Sequence, residues 1–254
     1  MSYLIAITGK GGVGKTTISS LMVKQLIANH CEPVLAIDAD PNSCLDAALG
    51  VKATKTVGRA REEVREETKN GLAAGISKQD LLQIKISESL VESKGFDLIA
   101  MGRPEGAGCY CYANNVLKSV IAELSSQYPY VVLDNEAGLE NLSRRIVQSV
   151  DLLVLVSDAS NSGLETLGRL YSLASEMDIK YGKLLLIVNR LRSDRMPEKL
   201  EEIKALTKAD YVLGLPDDLE IASFAETNQN FLELPQSNIV LQKIDEFIQR
   251  LMKK

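Results

Sequence analysis

Two stretches of this chain hold residues whose types and spacing could do chemistry. The first is "GKGGVGKTT", Gly9–Thr17, which satisfies G-x-x-x-x-G-K-[ST] at Gly9, Gly14, Lys15 and Thr16. That spacing belongs to a loop that wraps phosphate. Gly9, Gly11, Gly12 and Gly14 let the backbone turn, so that successive N–H groups, those of Val13 and Thr17 included, face one anion. A helix starting near Thr16 would add the positive end of its dipole. Lys15 would reach the β- and γ-phosphates, and the Thr16 hydroxyl would ligate Mg²⁺. Lys10 follows the first glycine; its spacing leaves it either a phosphate contact or a solvated loop lysine.

The second stretch is "GAGCYCYANN", residues 106–115, with Cys109 and Cys111 one residue apart. Two thiolates can hold a metal but do not close a tetrahedral site. A disulfide between them would close a strained ring. Gly102, Gly106 and Gly108 suggest an exposed, adaptable loop, and Tyr110 and Tyr112 suit a surface contact. A two-fold dimer would supply the missing pair by symmetry. Four thiolates then suit Zn²⁺, or Ni²⁺ in a square-planar arrangement. Without a partner, the pair is incidental packing or a labile redox couple. Cys31 and Cys44 have no ligand beside them in sequence and read as small hydrophobes. His30 is the only histidine, which removes His-based triads and HExxH zinc sites.

Carboxylates stand where strands should end. "VLAIDADPN" closes an apolar run with Asp38 and Asp40 before Pro41 breaks it, and "YVVLDNEAG" does so with Asp134. In an open α/β sheet, ligands bind outside the carboxyl ends of the strands, so all three are placed for a magnesium–phosphate group. Asp40 or Asn42 could instead cap a helix at Ser43–Leu49. Glu136 is either a base or an ordinary exposed glutamate. "LIVNRLRSD" ends a strand with Asn189, a residue able to read a base edge. Arg190 and Arg192 occupy the positions where guanine-binding proteins carry Lys and Asp, so adenine is the expected base.

The elements that must position these residues alternate. Strands are expected at Tyr3–Thr8, Val34–Asp38, Phe96–Met101, Tyr130–Asp134, Leu152–Ser157, Leu184–Asn189 and Tyr211–Leu213. Their near-continuous Val/Ile/Leu content is that of strands covered on both faces. Helical periodicity marks Thr16–Asn29, Asn114–Tyr128, Ser162–Glu176 and Pro197–Ala205. This order predicts a single α/β domain over 1–254, a doubly wound, mostly parallel sheet with helices on both faces. Residues 59–94 are heavily charged and read as a solvated helical pair or as a segment that responds to a ligand. "IVLQKIDEFIQRLMKK" has helical spacing and either packs on the sheet or lies on a membrane surface.

With 254 residues, 45% hydrophobic and 25% charged, the composition is that of a soluble globular chain with ample core material. A formal net charge of −5 disfavours a nucleic-acid partner. No apolar run reaches the roughly 18 residues of a membrane span, and "YLIAI" is too short for a secretory segment. The expected compartment is the cytoplasm, where paired cysteines read first as metal or redox sites.

"KGGVGKTT" resembles the deviant Walker A motif of the SIMIBI-class ATPases, which include the nitrogenase iron protein, the Min and Par ATPases and metal-centre accessory proteins. The resemblance implies an ATP-sandwich homodimer in which Lys10 reaches the partner's nucleotide. It implies that Asp40 positions the attacking water, that Asp38 assists at the metal, and that the Gly138 N–H senses the γ-phosphate. "GLPDD", with Leu215 and Pro216, resembles the loop whose backbone lines the adenine. "GRPEGAGCYCYANNV" resembles the iron-protein segment that carries one of two cluster cysteines, matched by Cys109; the second position is Ala137 here. The combination of GCYC with DNEAG is similar to the CooC-type ATPases, which insert nickel into carbon monoxide dehydrogenase. That resemblance covers essentially the whole chain and implies ATP/ADP, Mg²⁺ and a thiolate-bound Ni²⁺ or Zn²⁺. The other readings are a Min/Par-type positioning ATPase and a reductase with a bridging iron–sulfur cluster.

Overall fold

A computed structural model describes residues 2–42, 44–69, 75–102, 118, 121–139, 149–193 and 195–253. Eight strands form one sheet: β1 Tyr3–Gly9, β2 Val34–Asp38, β3 Val91–Ser93, β4 Phe96–Ala100, β5 Tyr130–Asp134, β6 Ser149–Asp158, β7 Lys180–Leu191 and β8 Tyr211–Pro216. Their order is β3-β4-β2-β5-β1-β6-β7-β8. Every pairing is parallel except β3 with β4, which is antiparallel. The expected doubly wound α/β sheet is therefore present. The seven expected strands are there, and β3 is an addition. It is three residues long with two exposed side chains, so it lacks the apolar run that marks its neighbours.

Eight labelled helices follow in chain order: α1 Lys15–Ala28, α2 Leu45–Ala48, α3 Val57–Lys69, α4 Lys78–Ser87, α5 Asn161–Glu176, α6 Lys199–Thr207, α7 Leu219–Glu226 and α8 Ile239–Met252. Residues 121–125 are also helical; the rest of the helix expected at Asn114–Tyr128 lies largely outside the described residues. Side chains along a strand alternate between faces, and β1 shows the division. Ile5 and Ile7 join the cluster that contains Ile18, Leu21 and Met22 of α1 with Ile244 and Ile248 of α8. Leu4 and Ala6 join the opposite cluster, with Val64 of α3, Leu82 of α4, Leu164 and Leu167 of α5 and Ile203 of α6.

Helix α1 has no solvent stripe: ten of its 14 residues are buried, because it lies between the sheet and α8. Lys24 is buried within it, and its ammonium donates to the carbonyl of Leu232 at 2.6 Å and to that of Leu234. Residues 59–94 hold α3, α4 and β3. The two helices bury only a narrow stripe and carry ion pairs from Lys85 to Glu63 and Glu67, which matches the solvated pair.

The C-terminal helix packs rather than floats. Val240, Leu241, Ile244, Phe247, Ile248 and Leu251 are buried at i, i+3 and i+4 spacing, so its apolar face is spent on α1 and β8. Ile248→Ala should therefore lower the urea-unfolding free energy by about 2–5 kcal/mol, as for other buried aliphatic truncations. A membrane-surface helix detached from the core would show a change within about 0.5 kcal/mol.

Candidate nucleotide site

Strand register brings the site together before any side chain is considered. In the β2–β5 pair Asp38 stands opposite Asp134, and in the β1–β5 pair Ile7 does. The carboxylates of two neighbouring strands thus meet at the carboxyl end of the sheet, beside the loop that leaves β1. That loop runs against β6 so closely that a Cβ on Gly9 would meet the Val156 carbonyl oxygen at 2.2 Å. Gly14 has φ 91° and abuts the Asn189 amide, where a Cβ would sit 2.7 Å from Nδ2. Only glycine fits both positions.

Lys15 is buried, and its ammonium donates to the Lys10 carbonyl at 3.2 Å. Burial pulls its pKa down, while the charges of Asp134, Asp40 and Glu136 push it back up. Thr16 Oγ1 donates to Asp134 Oδ2 at 2.7 Å, and Ser19 Oγ lies 3.0 Å from Asp134 Oδ1. Ser19 was not legible as a site residue. Its only sequence signal is a position three residues after Thr16 on a helix, hence on the same face.

Asp38 does more than its strand-end position indicates. Its Oδ1 accepts from the Asp40 N–H at 3.0 Å and its Oδ2 from the Leu45 N–H at 2.9 Å. It therefore folds the Asp40–Pro41 turn back and ties the start of α2, a task expected of Asp40 or Asn42. Asp40 Oδ1 accepts from the Asn42 N–H at 2.8 Å. Cys44, expected inside, is exposed on the flank of α2, whereas Cys31 is buried as expected. The α2 helix is a single turn whose only buried residue is Leu45, and Cys44 stands at its N-cap.

The β5 loop is stitched to β1. Gly138 N–H donates to the Gly9 carbonyl at 3.1 Å, and the Thr8 hydroxyl donates to the Gly138 carbonyl. Asn135 is buried, and its amide donates to the Ile7 carbonyl at 3.0 Å. Ala137 is exposed beside Gly11. Lys10 is exposed. Asp158 is held below the usual carboxylate range chiefly by the Ser160 hydroxyl, with Lys10 and Arg190 adding positive charge nearby.

A cleft of about 360 Å³ opens beside the loop, walled by Gly14, Thr17, Asn189, Arg190, Pro216 and Ala222 among others. Asn189 Nδ2 donates to the Val13 carbonyl at 2.8 Å, so the base-reading candidate is fixed to the phosphate loop. Leu215 is fully buried and does not line the cleft; its neighbour Pro216 does. Arg192, Ile221 and Ala222 also line the cleft and were not anticipated as lining residues; α7 has no buried residue and so no core stripe to announce it. The glycine cradle and the hydroxyl–carboxylate pair fit a magnesium-bound nucleotide phosphate. Cys109 and Cys111 lie outside the described residues. Among the described residues no group of three or more His, Cys, Asp or Glu side chains is arranged as a metal site.

Burial raises Asp38 to about 7 and Asp134 to about 6, from an ordinary 3.8. The nucleotide-free fold therefore binds these protons more tightly than the unfolded chain. Their stabilising effect is complete below about pH 4 and is lost as pH rises through 6 to 7. The melting temperature of the nucleotide-free protein should fall between about pH 5.5 and about pH 8, and Asp38→Asn should flatten that fall. An unchanged slope in the variant, measured by calorimetry, would assign the pH dependence elsewhere.

Residues 2–187 match the model of a family described as AAA domain. An uncharacterized ATP-binding protein of Methanocaldococcus jannaschii is 41% identical over 255 residues, with 99% of each chain covered. The carbon monoxide dehydrogenase accessory protein CooC of Rhodospirillum rubrum is 32% identical over 205 residues, 74% of each chain. The crystal structure of a ParA family ATPase from Chlorobium tepidum superposes with a TM-score of 0.72 at 18% identity, covering 98% of both chains. With its phosphate loop formed on this sheet, the chain belongs to the AAA-domain family, as an ATP-binding protein of the P-loop ATPase fold.

Proposed function

We propose that this chain is an ATP-hydrolysing accessory protein that delivers nickel to carbon monoxide dehydrogenase, working as a homodimer. One observation carries the reading: the accessory protein of R. rubrum is 32% identical over 74% of both chains, and the chain holds the GCYC stretch. The position at which an iron–sulfur reductase would need its second cysteine is Ala137. This favours metal delivery over electron transfer. The Min/Par-type membrane role draws no support from α8, whose apolar face is occupied.

In this reading the backbone of Gly9–Thr17 takes the phosphates, Lys15 neutralises their charge, and Thr16 with Asp134 would hold magnesium. When bound, magnesium offsets phosphate charge as it is transferred. Asp40 orients the attacking water, while Asp38 holds the turn that carries Asp40 and assists near the metal. Gly138 senses the γ-phosphate when its N–H turns to the phosphate from the Gly9 carbonyl, its acceptor here. Lys10 reaches across the dimer to the partner's nucleotide. The Asn189 amide is held in place by one N–H donated to Val13, and its Oδ1 accepts from the adenine amino group. Arg190 and Pro216 complete that cleft.

Cys109 and Cys111 of two copies hold the cargo ion, Ni²⁺ or Zn²⁺, through four thiolates. ATP favours the closed dimer by binding it more tightly than the open form. The cytoplasm is the compartment, and neither nucleic acid nor membrane is a partner.

Two measurements test this. Cys109→Ser/Cys111→Ser should lose stoichiometric metal by elemental analysis and keep ATP affinity within about twofold; unchanged metal content sinks the site. Size-exclusion chromatography with Ni²⁺ and ATP should show a dimer; a monomer under every condition removes the shared-thiolate arrangement.

A further inference from the structure

Asp134 is 1% exposed, so its carboxylate depends on the protein for every hydrogen bond it makes. Two hydroxyls from one helix supply them. Thr16 donates to Oδ2 at 2.7 Å, and Ser19 reaches Oδ1 at 3.0 Å. Both lie on the first turns of α1, three residues apart and on one face. Ser19 is fully buried.

The Ser19 hydroxyl has a second acceptor in reach, the Lys15 carbonyl at 3.0 Å. A serine in a helix commonly makes that bond and no other. It carries one proton, which can serve one acceptor fully. An ionised carboxylate is the stronger acceptor, so the proton turns to Asp134 when that group is charged. The carboxylate is then gripped at both oxygens and cannot rotate about its last torsion. Its Oδ2 stays on Thr16, and the Thr16 lone pairs stay turned outward from Asp134.

We propose that Ser19 is a positioning residue for magnesium-dependent nucleotide binding: it locks Asp134 so that Asp134 holds the Thr16 hydroxyl in the orientation a magnesium ion requires. Ser19 touches neither nucleotide nor metal in this arrangement; it acts through Asp134. The proposal rests on the reading of Thr16 and Asp134 as the magnesium-holding pair.

The test titrates Mg²⁺ into the full-length protein with a fluorescent ATP analogue, and repeats the binding in EDTA. Ser19→Ala should raise the Mg²⁺ midpoint about tenfold, the size expected for one lost hydrogen bond to a charged group. Binding in EDTA should change less than about twofold, because the glycine loop and Lys15 are untouched. Ser19→Thr, which restores the hydroxyl, should return the midpoint to near wild type. If its added methyl lowers the melting temperature, the Asp134→Asn background decides instead. There Ser19→Ala should add much less, because the charged acceptor it holds is gone.

A wild-type midpoint in Ser19→Ala overturns the proposal. So does a folded Ser19→Thr that behaves like alanine, or an undiminished Ser19→Ala effect in the Asp134→Asn background. Thr16→Ala separates the underlying reading. If it too leaves the Mg²⁺ midpoint unmoved, the magnesium-holding pair is wrong, and Ser19 falls with it. If Thr16→Ala shifts the midpoint and Ser19→Ala does not, only the Ser19 role is lost.

Discussion

A carboxylate placed out of water at the end of β5 is the constraint on which the rest of this site depends. Asp134 cannot be left without donors, because a buried unpaired charge costs several kcal/mol (of the order of 3–5). The donors come from Thr16 and Ser19. Meeting that demand fixes the rotation of α1 about its own axis, since both hydroxyls must face β5 at once. It also fixes where the loop before α1 can run. The side chain of α1 that points the other way, at Ile18, then falls into the core against α8.

The loop has its own demand. Gly9 passes within a Cβ's reach of the β6 backbone, so the phosphate-binding turn is wedged between β6 and the β5 loop rather than standing free. The bonds from Gly138 to Gly9 and from Thr8 to Gly138 close that wedge. A ligand that shifts the β5 loop must pull on the phosphate loop through these two contacts. Asp38 plays the matching part on the far side, where its two backbone bonds tie the Asp40 turn to α2. The three loops thus leave one end of a rigid sheet, and two of them are bonded to each other.

Much of this was legible in the sequence because it rests on patterns that physics makes conspicuous. Val34–Asp38 and Tyr130–Asp134 are apolar runs that stop at an acid, and both strands end there. The glycine spacing of the phosphate loop left little freedom, and the contacts of Gly9 and Gly14 explain why. The illegible parts lack such a pattern. Strand β3 is short and half exposed. No residue of helix α7 is fully buried, so no strong periodic stripe marks it as a wall of the cleft. Ser19 looks like any polar residue in a helix; only the register of β5 against β1 gives it a carboxylate to meet. Cys44 followed a rule about residue type, whereas its exposure follows from the shortness of α2.

Lys24 adds a consequence of a different kind. Its ammonium grips the carbonyls of Leu232 and Leu234 from the middle of α1, the helix whose first turn carries Lys15 and Thr16. The chain that follows the cleft wall is therefore clamped to the same rod that carries the phosphate grip. The two grips are then held nine residues apart on one helix, about 13.5 Å of rise. That helix acts as a caliper. Its jaws move apart only if the rod itself bends.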